Sequence, residues 1–559
     1  MASFTSISQT PLSQIASVAF LLGVIFHWSI SSINFEFEFI MFHFLGLMTL
    51  NFFLAVSTFA VSGNSVSIAT GKASFVAICF STGLGASIVF YRVFLHRCGK
   101  FNGPFQARIT KFYAMYRSGK NVQFRKELTK WHNQYGDFVR TGPRQLSILR
   151  PSAIPLLYGP NPACTKSSWY GQSGNDPNKV SINMTRDEKS YRLRRRAWDR
   201  GLSFKAISTY EPRIKSKVDL LIEKLRKTAG TPIDVTQMTM FFAFDLMGEL
   251  GFSKTFGNLE SGVEHLAIQG IHKHIKMLGV LSEVPWLLNL LGCIPGAAAG
   301  FVDFFDFCET EMNEKKKLEW KTNDLPKDIA SWLLKPVKEK DPSASPTSES
   351  LTDDSRVVII AGSDTTANTL AVILYYLAKN PNVQRKLRYL LQKAIPEGYQ
   401  SWSYDKVKSV SYITEIINEA LRLKPPVMQI PPRETPPAGI HVDEVFVPGN
   451  INVSIPTFTI MRDERWWKQG NSFIPERFGD RMEELGTRNA PFLPFSMGTH
   501  MCPGNNLAYT SLRSSVSAIF LNFEVDFAEE ETGNDFDEEF QDSALILLPP
   551  LKLIFTEIA

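Results

Sequence analysis

"PFLPFSMGTHMCPGNNLA", residues 491–508, sets one cysteine among glycines and prolines, directly before an apolar helical pattern. Cys502 would therefore lie just before a helix N-terminus, where free backbone N–H groups stabilise a thiolate. His500 stands two positions earlier, so the cysteine is half of a zinc site, a redox thiol, or a ligand held out to something larger. Zinc needs at least two further ligands, and none lies nearby in the sequence. Gly498 and Gly504 allow backbone to approach a flat ligand closely.

Composition excludes several classes of protein. The 559 residues are 44% hydrophobic, enough for a large core, and the net charge of only +5 gives no global field that would attract nucleic acid. The six cysteines are scattered without a CxxC pair. We therefore expect neither a disulfide framework nor a zinc ribbon, but reduced thiols.

The first hundred residues are more apolar than the rest of the chain. No Lys or Arg precedes Lys72, which argues against a cleaved signal peptide. Five basic residues between positions 92 and 111 place the following chain in the cytosol by the positive-inside rule. We predict a membrane anchor over 1–100, with one to three transmembrane helices. Three stretches each approach the ~20 residues that a membrane helix needs: Leu12–Ile33, Phe39–Val61 and Ala73–Leu95.

From the break "FNGPF" onward, residues 101–559 read as one mixed domain without an internal repeat. We predict a mainly α fold with small β-sheets, because helical periodicity dominates and β-type runs are short. The apolar segment 277–301 contains two prolines, so we expect buried core, with a lid on the bilayer as the alternative if the substrate is lipophilic. The helical patterns cover 122–135, 186–198, 236–251, 301–320, 351–379, 381–394 and 409–423. The β-type runs are "DFVRTGP", "HVDEVFVP" and "ALILLPPLKLIF".

"IIAGSDTTANTL", residues 359–370, interrupts a long apolar helical pattern with small and polar residues. Glycine within a helix costs ~1 kcal/mol relative to alanine, so a purely structural helix rarely contains such a run. Ala361 and Thr365 share one face, and Asp364 is adjacent. This arrangement leaves room for a small ligand and a route for protons, although a kinked core helix is an equal alternative.

Two further motifs point to a buried charge network. Glu419 and Arg422, in "NEALRLKPP", lie three residues apart and face the same side of a helix. Arg477, in the loop "FIPERF", is either a solvated charge or the third member of a network that pins this loop to the helix. Each motif alone is weak evidence, because exposed pairs contribute little.

Together and in this order, the four motifs resemble the cytochrome P-450 family of haem-thiolate monooxygenases, from about Arg92 to the C-terminus. The segments "YGDFVRTGPRQLSI" and "RRRAWDRGLS" are similar to the fungal microsomal type. The resemblance implies the cytochrome P-450 fold and a haem, preceded by the membrane anchor.

The resemblance also implies residue roles. Cys502 is the axial thiolate ligand of the haem iron. Asp364 and Thr365 are the acid–alcohol pair that delivers protons, beside an oxygen groove at Ala361 and Gly362. Glu419, Arg422 and Arg477 are a structural triad. The other residues expected at the haem are Phe495, Gly498 and Gly504 of the cysteine loop and the propionate partners Tyr191, Arg195, Arg433 and His500. Tyr191 and His500 depart from the Trp and Arg that the family often has there.

The implied activity is oxidation of a lipophilic small molecule, such as a terpenoid, polyketide or alkaloid intermediate of fungal secondary metabolism. Electrons would come from NADPH-cytochrome P-450 reductase, docking on a basic face formed by the arginines at 192 and 194–196. The expected location is the endoplasmic reticulum membrane, with the catalytic domain in the cytosol. We expect substrate contacts from 428–430 and 545–548.

Two alternatives are a reductase-independent haem-thiolate isomerase or dehydratase and a non-catalytic membrane haem-binding protein. The first tends to lack the acid–alcohol pair, and the second does not need it. Asp364 and Thr365 therefore favour the monooxygenase.

Overall fold

The computed structural model describes residues 11–31, 36–173, 176, 178–296, 299–321 and 325–558. The first ten residues of the predicted anchor, Ile33 and the final Ala559 lie outside the described residues. Within the described ranges a helical bundle at the N-terminus leads into a helix-rich body with four small sheets.

Three long apolar helices form the N-terminal bundle: α1 Leu12–Ile30, α2 Phe37–Val61 and α3 Val66–Phe90. Each is long and apolar enough to cross a membrane. The helices of the body are α4 Phe105–Ile109, α5 Phe112–Asn121, α6 Phe124–Tyr135, α7 Ala153–Tyr158, α8 Glu188–Gly201, α9 Phe204–Lys227, α10 Val235–Phe252, α11 Asn258–Ser261, α12 Leu266–Leu281, α13 Pro285–Leu291, α14 Ala299–Glu319, α15 Ile329–Glu339, α16 Ser348–Lys379, α17 Pro381–Ala394, α18 Tyr404–Lys408, α19 Ser411–Leu423, α20 Thr457–Ile460, α21 Met482–Leu485, α22 Asn505–Asn522 and α23 Asn534–Glu538.

A five-stranded mixed sheet has the order β1-β2-β8-β5-β3, in which only β2 and β8 pair in parallel. An antiparallel sheet β4-β12-β9 and the hairpins β6-β7 and β10-β11 complete the β structure. The strands are β1 Phe138–Gly142, β2 Gln145–Ile148, β3 Thr165–Lys166, β4 Pro232–Asp234, β5 Arg433–Glu434, β6 Ile440–Val442, β7 Val445–Val447, β8 Asn452–Ser454, β9 Phe523–Phe527, β10 Gln541–Asp542, β11 Ile546–Leu547 and β12 Lys552–Glu557.

Helix α16 runs through the centre of the body. It begins with a capping box, in which the Thr347 side chain accepts from the Ser350 backbone N–H and the Ser350 hydroxyl accepts from the Thr347 N–H. Its length and hydropathy also suit a membrane span, but 72% of its apolar window is buried inside the body. It packs against α10, α14, α19 and α22, so the sequence around Gly362 lies in the core of the molecule.

The N-terminal bundle is held by close backbone contact. A Cβ on Gly23 would lie 2.2 Å from the Phe80 carbonyl oxygen, and one on Gly83 would lie 2.1 Å from that of Phe20. These glycines therefore let α1 and α3 cross closely, as small residues do between membrane helices. His27 Nδ1 and Ser87 Oγ lie 2.8 Å apart farther along the same pair, so the two helices run parallel.

The segment 277–301 is only partly the buried core that its composition predicts. It contains the half-buried α13, whose Leu288 and Asn289 line the large cavity of the body. Trp286 packs edge-on against Phe37 at the start of α2, with ring centroids 5.4 Å apart. The described part of this segment, which includes α13, therefore lies between the cavity and α2, and a lid on the bilayer stays a prediction.

Candidate functional site

One cavity of about 1140 Å³ separates α16 from the cysteine loop. Ligand pockets usually measure about 300–1,000 Å³, so this one has room for a large ligand with a second molecule beside it. Ala361, Gly362 and Thr365 line the wall on α16, and Phe495 and Cys502 line the opposite wall. The structure therefore brings together, across one space, two motifs that are about 140 residues apart in the sequence.

The cysteine loop ends at the N-terminus of α22. The Cys502 N–H donates to the Phe495 carbonyl at 2.9 Å and closes the loop. Burial raises the pKa of the Cys502 thiol, while the backbone N–H groups of Gly504 and Asn505 and the charge of Arg195 lower it. The N–H groups expected at this helix end are present, but burial has the larger effect, so the thiolate needs a further positive charge such as a bound metal ion.

The two glycines of the loop have different roles. Gly504 lines the cavity, and a Cβ there would meet only Cys502 Sγ, at 3.8 Å. Gly498 has φ +64°, and a Cβ there would lie 2.1 Å from the Gly159 carbonyl carbon. The backbone that approaches Gly498 is thus that of α7's C-terminal end, which differs from the expected approach to a flat ligand.

On α16, the acid and the alcohol point in different directions. Thr365 lines the cavity, and its hydroxyl donates to the Ala361 carbonyl at 2.6 Å. Gly362 accommodates Met247 of α10, since a Cβ would lie 2.5 Å from the methionine sulfur. Asp364 is buried outside the cavity lining, 3.6 Å from His272 Nε2. No sequence motif marks this histidine.

The four expected propionate partners meet at one end of the cavity. Arg195 donates to the Tyr191 hydroxyl at 2.9 Å and to the Met501 carbonyl at 2.7 Å. Tyr191 packs against His500, with ring centroids 4.3 Å apart. Burial, together with nearby cations, lowers the pKa of His500 to about 3, so the ring is neutral at pH 7. Arg433, placed by β5, donates to the Tyr170 hydroxyl at 2.6 Å.

Lys166 is a fifth polar group at this end that the sequence did not single out. Its ammonium donates to the Asn183 carbonyl at 2.8 Å and the Thr185 carbonyl at 2.9 Å. It also lies 4.8 Å from the centroid of the Tyr191 ring. Burial and the charge of Arg433 lower its pKa well below the usual range. The sequence feature that could have pointed to Lys166 is its position close to two aromatic residues in the run "KSSWY".

The Glu419 network forms as its spacing predicts. Glu419 accepts from Arg422 at 2.7 and 2.8 Å, from Arg477 at 2.9 Å and from the Ile474 N–H at 2.8 Å. All three charged side chains are completely buried. The remaining N–H groups of Arg422 reach loop carbonyls, including those of Met461 and Gly470, both at 2.7 Å. The network therefore ties α19 to the loop that contains Met461, Gly470 and Arg477, which precedes Cys502 in the sequence.

Two expectations about neighbouring surfaces are wrong. Met428 lies in an apolar cluster with Phe540, and Gln429 donates to Ser454 at 2.9 Å, so neither lines the large cavity, although Ile430 does. Arg194 is buried and pairs with Asp354 at 2.7 Å, so it cannot belong to an exposed basic face.

The residues present fit a haem. A flat macrocycle between α16 and Cys502 would place its two carboxylates at the cationic end of the cavity. Two buried polar atoms there, Arg433 Nε and His500 Nδ1, have no hydrogen-bond partner within the described part of the chain. Such atoms are costly to leave unmatched, and they indicate that a polar group of a ligand belongs beside them.

Comparison with known proteins identifies the same kind of molecule. Residues 104–556 match the family model described as cytochrome P450. The chain is 33% identical over 511 residues to cytochrome P450 monooxygenase FCK2 of Fusarium pseudograminearum, covering 90% of each protein. It is 33% identical over 463 residues to a tryprostatin B 6-hydroxylase of Aspergillus fumigatus, covering 82% of this chain and 81% of the relative. A cytochrome P450DA heme domain superposes with a TM-score of 0.66 at 16% identity, covering 80% of this chain and 95% of that one.

Proposed function

The chain belongs to the cytochrome P450 family, and from that premise we propose that it oxidises a lipophilic small molecule of fungal secondary metabolism with electrons from NADPH-cytochrome P450 reductase. It is a haem-thiolate monooxygenase, and haem is its cofactor. Bound haem supplies the oxygen chemistry of R–H + O2 + 2 electrons + 2 protons → R–OH + H2O.

Cys502 is proposed as the iron ligand. Its position at the cavity wall, opposite the Ala361–Thr365 face of α16, is the observation that carries the proposed function. The closed loop and the helix N-terminus hold the sulfur in place, so binding requires little reorganisation. Arg195, Arg433, Tyr191 and His500 are proposed as the propionate partners.

Thr365 is proposed to hold a proton donor at the oxygen-binding side of the cavity. Its hydroxyl already donates to the Ala361 carbonyl, and its oxygen lone pairs can accept a hydrogen bond from a neighbouring proton donor. Asp364 is the adjacent acid. This pair supports a monooxygenase over an isomerase or dehydratase, which requires no protons from solvent.

The lining of the cavity supports a lipophilic substrate. Away from the cationic end it is largely apolar, with aromatic and aliphatic side chains from α12, α13 and α14. A tryprostatin B 6-hydroxylase is among the relatives, so tryprostatin B is the first compound to test as a substrate. The apolar anchor beside α13 suits a compound that partitions into membranes.

We propose residues 1–100 as the anchor and 101–559 as the catalytic domain. Three spans are supported by the three apolar helices, and the basic residues after α3 favour a cytosolic catalytic domain in the endoplasmic reticulum membrane. For the reductase we propose the exposed arginines of α8, Arg192, Arg196 and Arg200, in place of the buried Arg194.

The proposed function is tested with full-length haem-loaded protein reduced under CO. We expect the red-shifted absorption band of thiolate-ligated haem, and loss of that band in Cys502→Ala. Cys293→Ala removes an exposed free thiol and should keep the band. A folded, haem-loaded parent without the band would refute the proposal. Incubation with reductase, NADPH and tryprostatin B should yield a product heavier by one oxygen atom if this alkaloid is accepted.

A further inference from the structure

His272, on α12, lies between two carboxylates on the far side of α16 from Cys502. Its Nδ1 is 2.6 Å from Glu264 Oε1, and its Nε2 is 3.6 Å from Asp364 Oδ2. Phe244 of α10 packs edge-on against the imidazole, with ring centroids 6.1 Å apart. The cluster therefore connects α10, α12 and α16 at Asp364, the acidic residue next to Thr365 in the sequence.

The cluster runs from solvent to the wall of the cavity. The side chains of Glu264 and His272 are 26% and 21% exposed, whereas that of Asp364 is 4% exposed. Thr365, next in sequence, lines the cavity. Each O2 that is reduced consumes two protons, and this cluster is one route by which they can reach the cavity from solvent.

Asp364 is incompletely partnered, which is unusual for a structural ion pair. Its Oδ1 is buried and has no hydrogen-bond partner among the residues that the structure describes. Leaving a buried acceptor unsatisfied costs free energy that a purely structural pair would avoid. The unpartnered oxygen is therefore available to accept a proton.

We propose, resting on the monooxygenase function above, that His272 is the proton source of Asp364 and that Glu264 positions the ring for this role. The His272 Nε2–H bond breaks and an O–H bond forms on Asp364, so the ring and the carboxylate both become neutral. Asp364 passes the proton to the Thr365 oxygen and regains its charge, as the original Thr365 O–H bond breaks and its proton leaves into the cavity. Solvent at the exposed edge of the ring then reprotonates Nε2, and the hydroxide left behind is released to bulk water.

The charge on the ring supports this role. Burial alone would lower the pKa of His272, but the charge of Asp364 and the hydrogen bond and charge of Glu264 outweigh it and raise the pKa to about 10. The ring therefore carries its proton throughout the neutral pH range. Transfer to Asp364 is uphill, and consumption of the proton at the cavity draws it forward.

The test uses the full-length holoprotein with reductase: the parent, His272→Gln, Glu264→Gln and the control His441→Gln, whose ring is exposed on the β6-β7 hairpin. NADPH-driven O2 consumption is measured in H2O and D2O, without added substrate. The rate at which the reductase generates the CO-bound band is measured alongside, because that step consumes no proton.

We expect His272→Gln to slow O2 consumption about ten-fold, since direct general acids contribute ~10²–10⁴-fold and His272 acts through Asp364. Its solvent isotope effect should increase, Glu264→Gln should show a smaller change in the same direction, and His441→Gln should match the parent. The CO-band rate should not change. Parental O2 consumption in His272→Gln, or equal slowing of the CO-band step, would overturn the proposal.

Two provisions keep the test decisive. If His272→Gln does not take up haem, Glu264→Gln, which keeps the ring and Asp364, decides by the same measurements. NMR of histidine-labelled holoprotein, with the His272 signal assigned from the variant, should show a charged ring well above pH 7, and a neutral ring there would also overturn the proposal. A parent without the CO band refutes the proposed function instead, and the charge state of the ring is still determined.

Discussion

The Glu419 network and the Glu264–His272–Asp364 cluster are both built from buried charge, but only the first is fully satisfied. Glu419, Arg422 and Arg477 are inaccessible to solvent, and both oxygens of Glu419 accept hydrogen bonds. Asp364 has an unpartnered oxygen, and its partner His272 reaches solvent. A network in which every charged group has its hydrogen-bond partners holds one geometry, whereas a network with an unpartnered group allows that group to change position. We therefore expect changes to the first to affect folding and changes to the second to affect turnover.

The largest effect is expected from Glu419→Gln. Removing this charge leaves two buried guanidinium groups without their carboxylate, and breaking a buried pair costs about 3–5 kcal/mol. The free energy of unfolding, from urea denaturation, and the yield of CO-binding holoprotein should both fall sharply. The control is Glu223→Gln, which breaks an exposed i,i+4 pair with Lys227. Equal stability of the two variants would contradict the structural role of the network.

Thr365→Ala should have the opposite signature. The variant loses only one hydroxyl hydrogen bond to Ala361, so the yield of holoprotein and the CO band should persist. Product formed per O2 consumed should fall about ten-fold or more, because positioned proton donors contribute ~10²–10⁴-fold. Thr369→Ala, one turn farther along α16, is the matched control. Loss of the CO band in Thr365→Ala would place the threonine with Glu419 as a structural residue.

Sequence patterns predicted the elements that each motif occupies, because local periodicity and caps decide them. The pattern over 351–379 became α16, which begins three residues earlier at Ser348, and those over 381–394 and 409–423 became α17 and α19 with shifts of at most two residues. The predicted fold class, the family and the haem cofactor are confirmed. The division at residue 100 and the individual site roles stay predictions.

Side-chain direction could not be predicted, because it depends on long-range packing. Arg194 and Arg195 are neighbours in one basic run, yet one pairs with Asp354 in the core and the other faces the cavity. Gly498 matches a motif, but the backbone of Gly159 explains it. His272 lies 92 residues from Asp364, and no spacing rule connects them.

Arg433→Gln should weaken haem retention without unfolding the body. Arg433 already has Tyr170 as a partner, and its unpartnered Nε belongs to the cationic end of the cavity. A hydrogen bond to a charged group contributes about 1.5–3 kcal/mol, so haem should transfer to apomyoglobin roughly ten-fold faster or more. Arg192→Gln is the control, because Arg192 is an exposed residue on the same helix, α8, as Arg195. Unchanged transfer would remove Arg433 from the proposed propionate partners.

The pH dependence of stability should distinguish the open cluster from its surroundings. The charged groups acting on His272 are Asp364 and Glu264, while Phe244 contributes an apolar face. Because the folded pKa is raised to about 10, the stabilisation is complete below the ordinary pKa of about 6.5 and is lost as pH rises through 10. The Tm difference between the parent and His272→Gln should be largest near pH 6 and should approach zero near pH 10. A difference that grows with pH would contradict the charged ring.

The smallest effect is expected where the anchor meets the body, at the ion pair of Glu36 and Arg186. This pair is bidentate, at 2.6 and 2.8 Å, but its side chains are 25% and 30% exposed. Its N···O distances thus match those of the Glu419 network, but its side chains are partly exposed to solvent. Exposed ion pairs contribute only about 0–1 kcal/mol. Glu36→Gln should leave the CO band intact and lower the Tm in detergent only slightly. A decrease in Tm comparable to that of Glu419→Gln would show that the contact between α2 and the body is needed for folding. It would also contradict the view that burial decides how much an ion pair contributes to stability.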